Sequence, residues 1–221
     1  MKASRSESSR FNSFIFSTMY DYPPLRYLRS ISLNLSAYRK SFERSVDVEF
    51  MKYAYRILHP SVAFLLVTKY GEKANVMTLA WHMPVEEDLI AIAIDRENYS
   101  YELLANSKEF TLNVLPIDRL DIIWKAGTTS GRKIDKIKEL EIDLKDGVKV
   151  GTPHVKDAMA FLECKVEEEL KFRDHSLVVA RVVYAWADKR FFRETWLEGC
   201  GVPMHVGKKF FTTNSKYYTP K

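Results

Sequence analysis

Glycine and cysteine are scarce in this chain: its 221 residues hold eight of the one and two of the other. The glycines compose neither G-x-G-x-x-G nor G-x-x-x-x-G-K-[ST]. That excludes the dinucleotide fingerprint of a doubly wound fold and the phosphate loop of nucleotide hydrolases. Cys164 and Cys200 form no C-x-x-C pair and stand at no metal-ligand spacing. Free thiols in a reducing compartment are expected of them, hence a cytoplasmic protein without disulfides. The five histidines, His59, His82, His154, His175 and His205, also lack ligand spacing, and no metal is expected. No G-x-S-x-G elbow marks a serine nucleophile. No apolar run approaches the roughly 20 residues that a membrane span needs, so no membrane partner is expected. There is no internal repeat and no heptad.

Net charge is missing from most of the chain. Residues 1–45 carry eight of the 34 basic and three of the 29 acidic side chains, a balance of +5, and the remainder holds 26 of each sign. The sequence pI near 9.0 therefore belongs to the N-terminal segment and is no argument for a nucleic-acid partner. That segment is rich in Ser, Arg, Tyr and Phe and has no helical or strand period. Three readings fit it: a disordered basic tail, an organellar transit peptide, or an upstream start that precedes the true one near Val46 or Met51. We take residues 1–45 as a dispensable extension and residues 46–221 as the domain.

Within the domain, β structure dominates. Ser61 to Thr68 is a short apolar, β-branched run, expected as a strand buried on both faces. Tyr70-Gly71-Glu72-Lys73 reads as a hairpin turn. Ala74–Trp81 and Leu89–Ile94 read as strands. A helix is expected over 98–107, with Leu103 and Leu104 inward. Residues 109–115 alternate as a half-buried strand should. A helix over 118–126 with Asp118 as its N-cap follows, then a Lys-rich helix near 134–140. Ala158–Lys171 and Ser176–Ala187 are two long β segments. Strands joined mostly by hairpins, with only short helices between them, predict a mainly β fold: a closed or partly open antiparallel barrel.

The densest polar stretch is Gly127-Thr128-Thr129-Ser130-Gly131-Arg132-Lys133-Ile134-Asp135-Lys136. Glycines let a backbone turn tightly and present its N–H groups. Hydroxyls and cations beside such N–H groups suit a phosphate, and Asp135 is placed to cap the helix that follows. A polar surface loop between two helices is the plainer reading. Asn75, Thr78, Trp81, Asn113 and His175 are further polar or amphipathic residues on otherwise apolar strands. Each has a structural alternative: a bulge for Asn113, a core ring for Trp81, a turn beside Asp174 for His175.

Read in order, these residues resemble a known family. His59-Pro60-Ser61-Val62 is followed by Asn75-x-x-Thr78-x-x-Trp81 and by Phe110-x-x-Asn113-Val114-Leu115. Then come Ser130-Gly131-Arg132-x-x-Asp135-Lys136, Leu162 to Val166, Asp174-His175 and His205-x-Gly207. The pattern is similar to that of the flavin reductase-like, FMN-binding split-barrel proteins of the flavoredoxin type, and it covers residues 55–211. Three positions depart from it: Arg173 and Lys208 stand where the family has glycine, and Ile137 where it has an aromatic residue. The resemblance implies an antiparallel split β-barrel, a homodimer, and FMN at or near the subunit interface. It implies cofactor contacts from Asn75, Thr78, Ala80, Trp81 and Asn113, and a phosphate held by Ser130, Gly131, Arg132 and Lys136. His175 is expected at the open flavin face as the catalytic residue, with Asp174 orienting its imidazole. The implied activity is an oxidoreductase that passes reducing equivalents from NADH or NADPH through the flavin to a flavin or a redox partner protein. A non-enzymatic electron carrier and a split-barrel binding protein without flavin are the alternatives.

Overall fold

The structure, a computed structural model, describes residues 48–220, with side chains from Tyr53 onward. The expectation for residues 1–45 lies outside the described residues. A 3-10 helix, Val48–Leu58, leads into the unit that begins at Tyr53. Pro60 lacks a backbone donor and stands just before the first strand, β1, Ser61–Val62. The apolar run expected as one strand is two. Ala63 separates β1 from β2, Phe64–Tyr70, and the two belong to different sheets.

β2 and β3, Lys73–Leu79, form the expected hairpin, whose turn places Gly71 at φ 58, a conformation glycine adopts without strain. Next come β4, His82–Pro84, and β5, Leu89–Asp95. Helix α1, Tyr99–Ser107, buries Leu103 and Leu104 as expected. Strand β6, Glu109–Val114, leads to α2, Leu120–Thr128. Asp118 does not cap α2: a 3-10 turn, Ile117–Arg119, intervenes, and Arg119 occupies the cap without a side-chain bond. Asp135 does cap the short α3, Lys136–Glu139, accepting from the N–H groups of Ile137 at 3.1 Å and Lys138 at 3.2 Å. After β7, Leu144–Lys145, and β8, His154–Val155, the long hairpin of β9, Ala160–Lys171, and β10, His175–Ala187, dominates. A last hairpin, β11, Pro203–Gly207, and β12, Phe210–Thr213, packs on β1.

Seven strands form one antiparallel sheet in the order β3-β2-β6-β9-β10-β5-β4. It curls into a half-barrel, the split-barrel architecture expected from the sequence. Register shifts between Val179 and Ala180 and between Val182 and Tyr184 are bulges of the kind that bend a strand. Inside the curl, Leu66, Leu79, Ile92, Ile94, Leu104, Phe110, Leu112, Cys164, Val178 and Ala180 make one core. On the opposite face, Leu65, Val67 and Val76 pack against Ile123 and Ala126 of α2. β2 and β6 are covered on both faces, so β6 is not half-buried as its alternation suggests. Its polar side chains, Thr111 and Asn113, point toward β8 instead of solvent. Both cysteines are free thiols, Cys164 buried and Cys200 partly exposed. Among the described residues, no helix is long and apolar enough to cross a membrane.

Candidate functional site

β3 is an edge strand, paired only with β2, and α1 and α2 pack beside it. An edge strand leaves one row of backbone N–H and C=O groups without a strand partner. Two packing contacts set how close the helices come. Thr78 Oγ1 donates to the carbonyl of Ile123 in α2, and Gly127 faces the Thr78 side chain, where an added Cβ would lie 3.1 Å from Thr78 Cβ. Asn75 is buried, and its Nδ2 donates to Ser100 Oγ on α1 at 2.7 Å.

The end of α2 is tied off by side chains. Thr128 Oγ1 donates to the carbonyl of Trp124 at 2.9 Å and Thr129 Oγ1 to that of Lys125 at 2.7 Å. Lys136 Nζ donates to Ala126 O at 2.8 Å and Thr129 O at 3.2 Å. The otherwise unpaired carbonyls of the last helical turn are thereby satisfied. Lys136 is only 3% exposed, and among the described residues no carboxylate pairs with it. Burial pushes its ammonium down to about 8. In the loop between α2 and α3, Lys133 and Ile134 N–H donate to Ser130 O, and Arg132 N–H donates to Ser130 Oγ. The N–H groups of Ser130 and Gly131 have no protein acceptor among the described residues. Gly131 presses against β3 and α1: a Cβ there would stand 2.1 Å from Asn75 Oδ1 and 2.9 Å from Tyr99 Cδ1, so only glycine fits. Arg132 lies outside this contact, ion-paired with Glu102 at 2.5 Å and stacked over the Tyr99 ring.

A groove runs along β3 from this loop to Trp81. Its wide part, about 400 Å³, is lined by Thr78, Ala80, Trp81, Asn98, Trp124, Gly127, His175 and His205, among others. A narrower part, about 250 Å³, continues past Thr128 to Asn75, Ser130, Gly131 and Lys136. The two share Met77, Asn98, Gly127 and Thr128 and form one channel. Beyond Gly131 lies an open polar bowl of about 730 Å³, with Lys73, Arg132, Lys133, Lys136 and Lys138 on its walls.

At the wide end, the imidazole of His175 stacks on the Trp81 ring, 5.2 Å between centroids at 27°. The Asp174 carboxylate makes no hydrogen bond to it among the described contacts, contrary to expectation. Asp174 contributes its carbonyl, which accepts from Arg96 N–H at 3.0 Å. The Arg96 guanidinium donates to Phe172 O at 2.8 Å and Arg173 O at 2.6 Å. One arginine thus holds the whole turn before β10, and the turn forms with Arg173 in place of glycine. Across the groove, His205 Nε2 donates to Lys208 O at 3.0 Å. Lys208 itself sits at φ 53, the left-handed conformation suited to the glycine it replaces. Ile137 faces the core around α2 and supplies no ring to the groove.

The structure brings Asn75, Ser130, Gly131 and Lys136 together at one end of the channel and Thr78, Ala80, Trp81 and His175 at the other. Arg132 lines only the outer bowl. Asn113 does not reach the channel. Its Nδ2 donates to Leu65 O and Thr111 Oγ1, both at 3.0 Å, and its Oδ1 accepts from Val155 N–H at 2.8 Å. It fastens β8 to β6, and both of its amide protons are committed there. Sequence reasoning did not single out Asn98, Tyr99, Trp124, His205 or Lys208 as lining residues. His205 and Lys208 carried a signal, the His-x-Gly element and the position just after it.

Comparison with known proteins agrees with the fold. A sequence model described as the flavin reductase like domain matches residues 55–201. An uncharacterized protein of Archaeoglobus fulgidus is 33% identical over 181 residues, covering 80% of this chain and 99% of that one. The fold is similar to that of an FMN-binding protein from Thermus thermophilus, solved with bound 1-cyclohex-2-enone. The TM-score is 0.68 at 24% identity, covering 73% of this chain and 91% of that one. It is also similar to a flavoredoxin from Methanosarcina acetivorans, with a TM-score of 0.67 at 22% identity, covering 73% and 88%.

Proposed function

The chain belongs to the flavin reductase-like family, and from that premise we propose an FMN-binding oxidoreductase that passes reducing equivalents from NADH or NADPH to a flavin or protein acceptor. The observation that carries this reading is the channel along β3. It ends at a loop whose Ser130 and Gly131 N–H groups have no acceptor among the described residues, beside an ammonium, that of Lys136, with no carboxylate partner among them. A phosphate is the complementary group: it accepts from both N–H groups and from the third N–H of Lys136, and it supplies the missing negative charge. The channel's wide part falls in the roughly 300–1,000 Å³ range of small-molecule sites. Apolar Met77 and Trp124 line it for a flat ring system, and the unpartnered backbone edge of β3 suits the polar rim of a flavin.

When bound, FMN supplies the hydride and electron chemistry. The protein's own part is to bind, orient and shield. Trp81 closes one end of the channel and holds His175 flat against its ring. His175 is placed to hydrogen-bond a nicotinamide carboxamide or to move a proton at its ring nitrogen. The reading includes a homodimer with FMN at or near the subunit interface, as the resemblance implies. The absorption spectrum of the purified protein, with and without added FMN, tests the reading. Flavin bands that persist through gel filtration, and bleach on adding NADH or NADPH, are expected. A protein that neither retains nor binds FMN would refute it.

A further inference from the structure

Trp81 has two sides. One faces the channel, and the other forms the wall of a separate cleft of about 290 Å³. The two clefts share Ala80, Trp81 and Ala93. The floor of the second is built from alternate residues of adjoining strands. Ala91 and Ala93 lie on one face of β5, beside Met83 of β4 and Leu177 of β10, their register partners. Two alanines where the neighbours are Met and Leu leave the floor hollow. Tyr55 and His59 complete the walls, and Tyr55 sets its ring edge-on to Trp81 at 5.3 Å.

The chemistry of the lining is restrictive. No charged side chain among the described residues lines this cleft, so a phosphate-bearing nicotinamide donor finds no partner there. Most polar groups face away from it. Ser61 Oγ donates to Ala80 O at 2.7 Å, His59 Nδ1 donates to His205 O at 3.0 Å, and His82 Nε2 donates to Val62 O at 2.8 Å. Since a carbonyl only accepts, the donating nitrogens are His59 Nδ1 and His82 Nε2, and in the neutral ring the other nitrogen of each is an acceptor. Tyr55 Oη accepts from Arg56 at 3.2 Å and keeps its own proton to donate. A neutral ring carrying oxygen atoms matches that set.

We propose that this cleft binds a small neutral quinone, which takes electrons from the reduced flavin across Trp81. The inference rests on the flavin reading above. Tyr55 donates to a quinone carbonyl, and the imidazole nitrogens accept from the hydroxyls of the product. The reduced flavin gives up two electrons and two protons, the quinone gains two of each and leaves as the hydroquinone, and no bond forms between them.

The test has two arms. In the first, flavin-free protein is titrated with 4-methylphenol, a neutral analogue of the product, and tryptophan fluorescence is read. Saturable quenching is expected. It should weaken about tenfold or more in Met83→Trp, which fills the mouth of the cleft from an exposed position. Ala91→Leu, which fills the floor, is the second variant. In the second arm, FMN-loaded protein reduced with dithionite is mixed anaerobically with 2,6-dimethyl-1,4-benzoquinone. Reoxidation should saturate, with a half-saturation concentration raised in parallel in both variants and FMN affinity unchanged. Equal phenol binding and equal half-saturation in wild type and both variants would overturn the proposal. Phenol binding by a protein that takes no FMN would overturn the flavin reading while leaving the cleft itself standing.

Discussion

Among the described residues Lys136 is held by two carbonyls and no carboxylate, and burial lowers its pKa from 10.5 to about 8. Between about pH 8 and 10.5 the unfolded chain binds the proton more readily than the folded one, so the ligand-free protein gains stability as pH rises through that window. Below about pH 8 the full cost of the buried charge is present. A bound phosphate reverses the preference, because it favours the ammonium. FMN affinity should therefore fall as pH rises above about 8, by at most about tenfold per unit. Lys136→Met should remove that dependence and weaken binding by about 10- to 150-fold, the loss of one charge-assisted hydrogen bond of about 1.5–3 kcal/mol. Flavin fluorescence titrations from pH 7 to 10 would check both. An unchanged affinity in the variant would remove Lys136 from the phosphate site. Arg132 is exposed and paired with Glu102, a pair worth less than about 1 kcal/mol. Arg132→Ala should weaken FMN binding less than Lys136→Met. Asn75 and Asn113 illustrate the limit of the sequence at this scale. Both are amides on apolar strands, and only their neighbours decide that one meets the loop at Gly131 and the other fastens β8.

Among the elements, long uniform ones were legible and short ones were not. The boundaries read for β9 and β10 lie within two residues of those observed, because twelve or more residues of β-rich sequence outweigh local accidents. β4, β7, β8, β11 and β12 each have two to five residues, too few for a period to show, and their pairing depends on partners distant in sequence. The turn before β10 leads into His175, the residue we propose acts on the nicotinamide donor. Its conformation is held by Arg96, which lies 79 residues before His175, together with the Phe172 N–H to His175 O bond. His175→Ala should slow flavin reduction by NAD(P)H by about tenfold or more at nearly unchanged FMN affinity. Arg96→Ala should produce the same split in milder form, because the turn loses the donors to Phe172 O and Arg173 O and His175 loses its fixed place on Trp81. Stopped-flow reduction at saturating donor, beside an FMN titration, separates the cases. If Arg96→Ala loses FMN and rate together, the turn supports the cofactor cradle as a whole. Gly131→Ala tests the other end of the channel: the added methyl meets Asn75 and must push the loop off β3, so FMN affinity should drop while the pH dependence set by Lys136 persists.

For the whole molecule, the excess charge and the family match occupy different stretches of the chain. The fold class was readable because hairpin-linked strands with short helices admit few architectures. The channel was not, since it is assembled from β3, β5, α1, α2, β10 and β11, and no local pattern announces which of their residues meet. The family match begins at residue 55, and the channel and both cores are lined by residues from position 55 onward. The excess of positive charge lies in residues 1–45. Electrostatic attraction of FMN should therefore depend on Lys136, Arg132 and the loop N–H groups at short range and owe little to net charge, which salt screens beyond about 8 Å at physiological ionic strength. Deleting residues 1–45 should then leave the melting temperature, the FMN affinity and the elution volume on gel filtration unchanged, and should remove the +5 balance. The salt dependence of FMN binding should be the same in both forms. A truncated protein that binds FMN more weakly at low salt but equally at high salt would show that the basic segment attracts the cofactor from a distance. Lost solubility or a shifted elution volume would instead place part of the fold or of the subunit contact within residues 1–45.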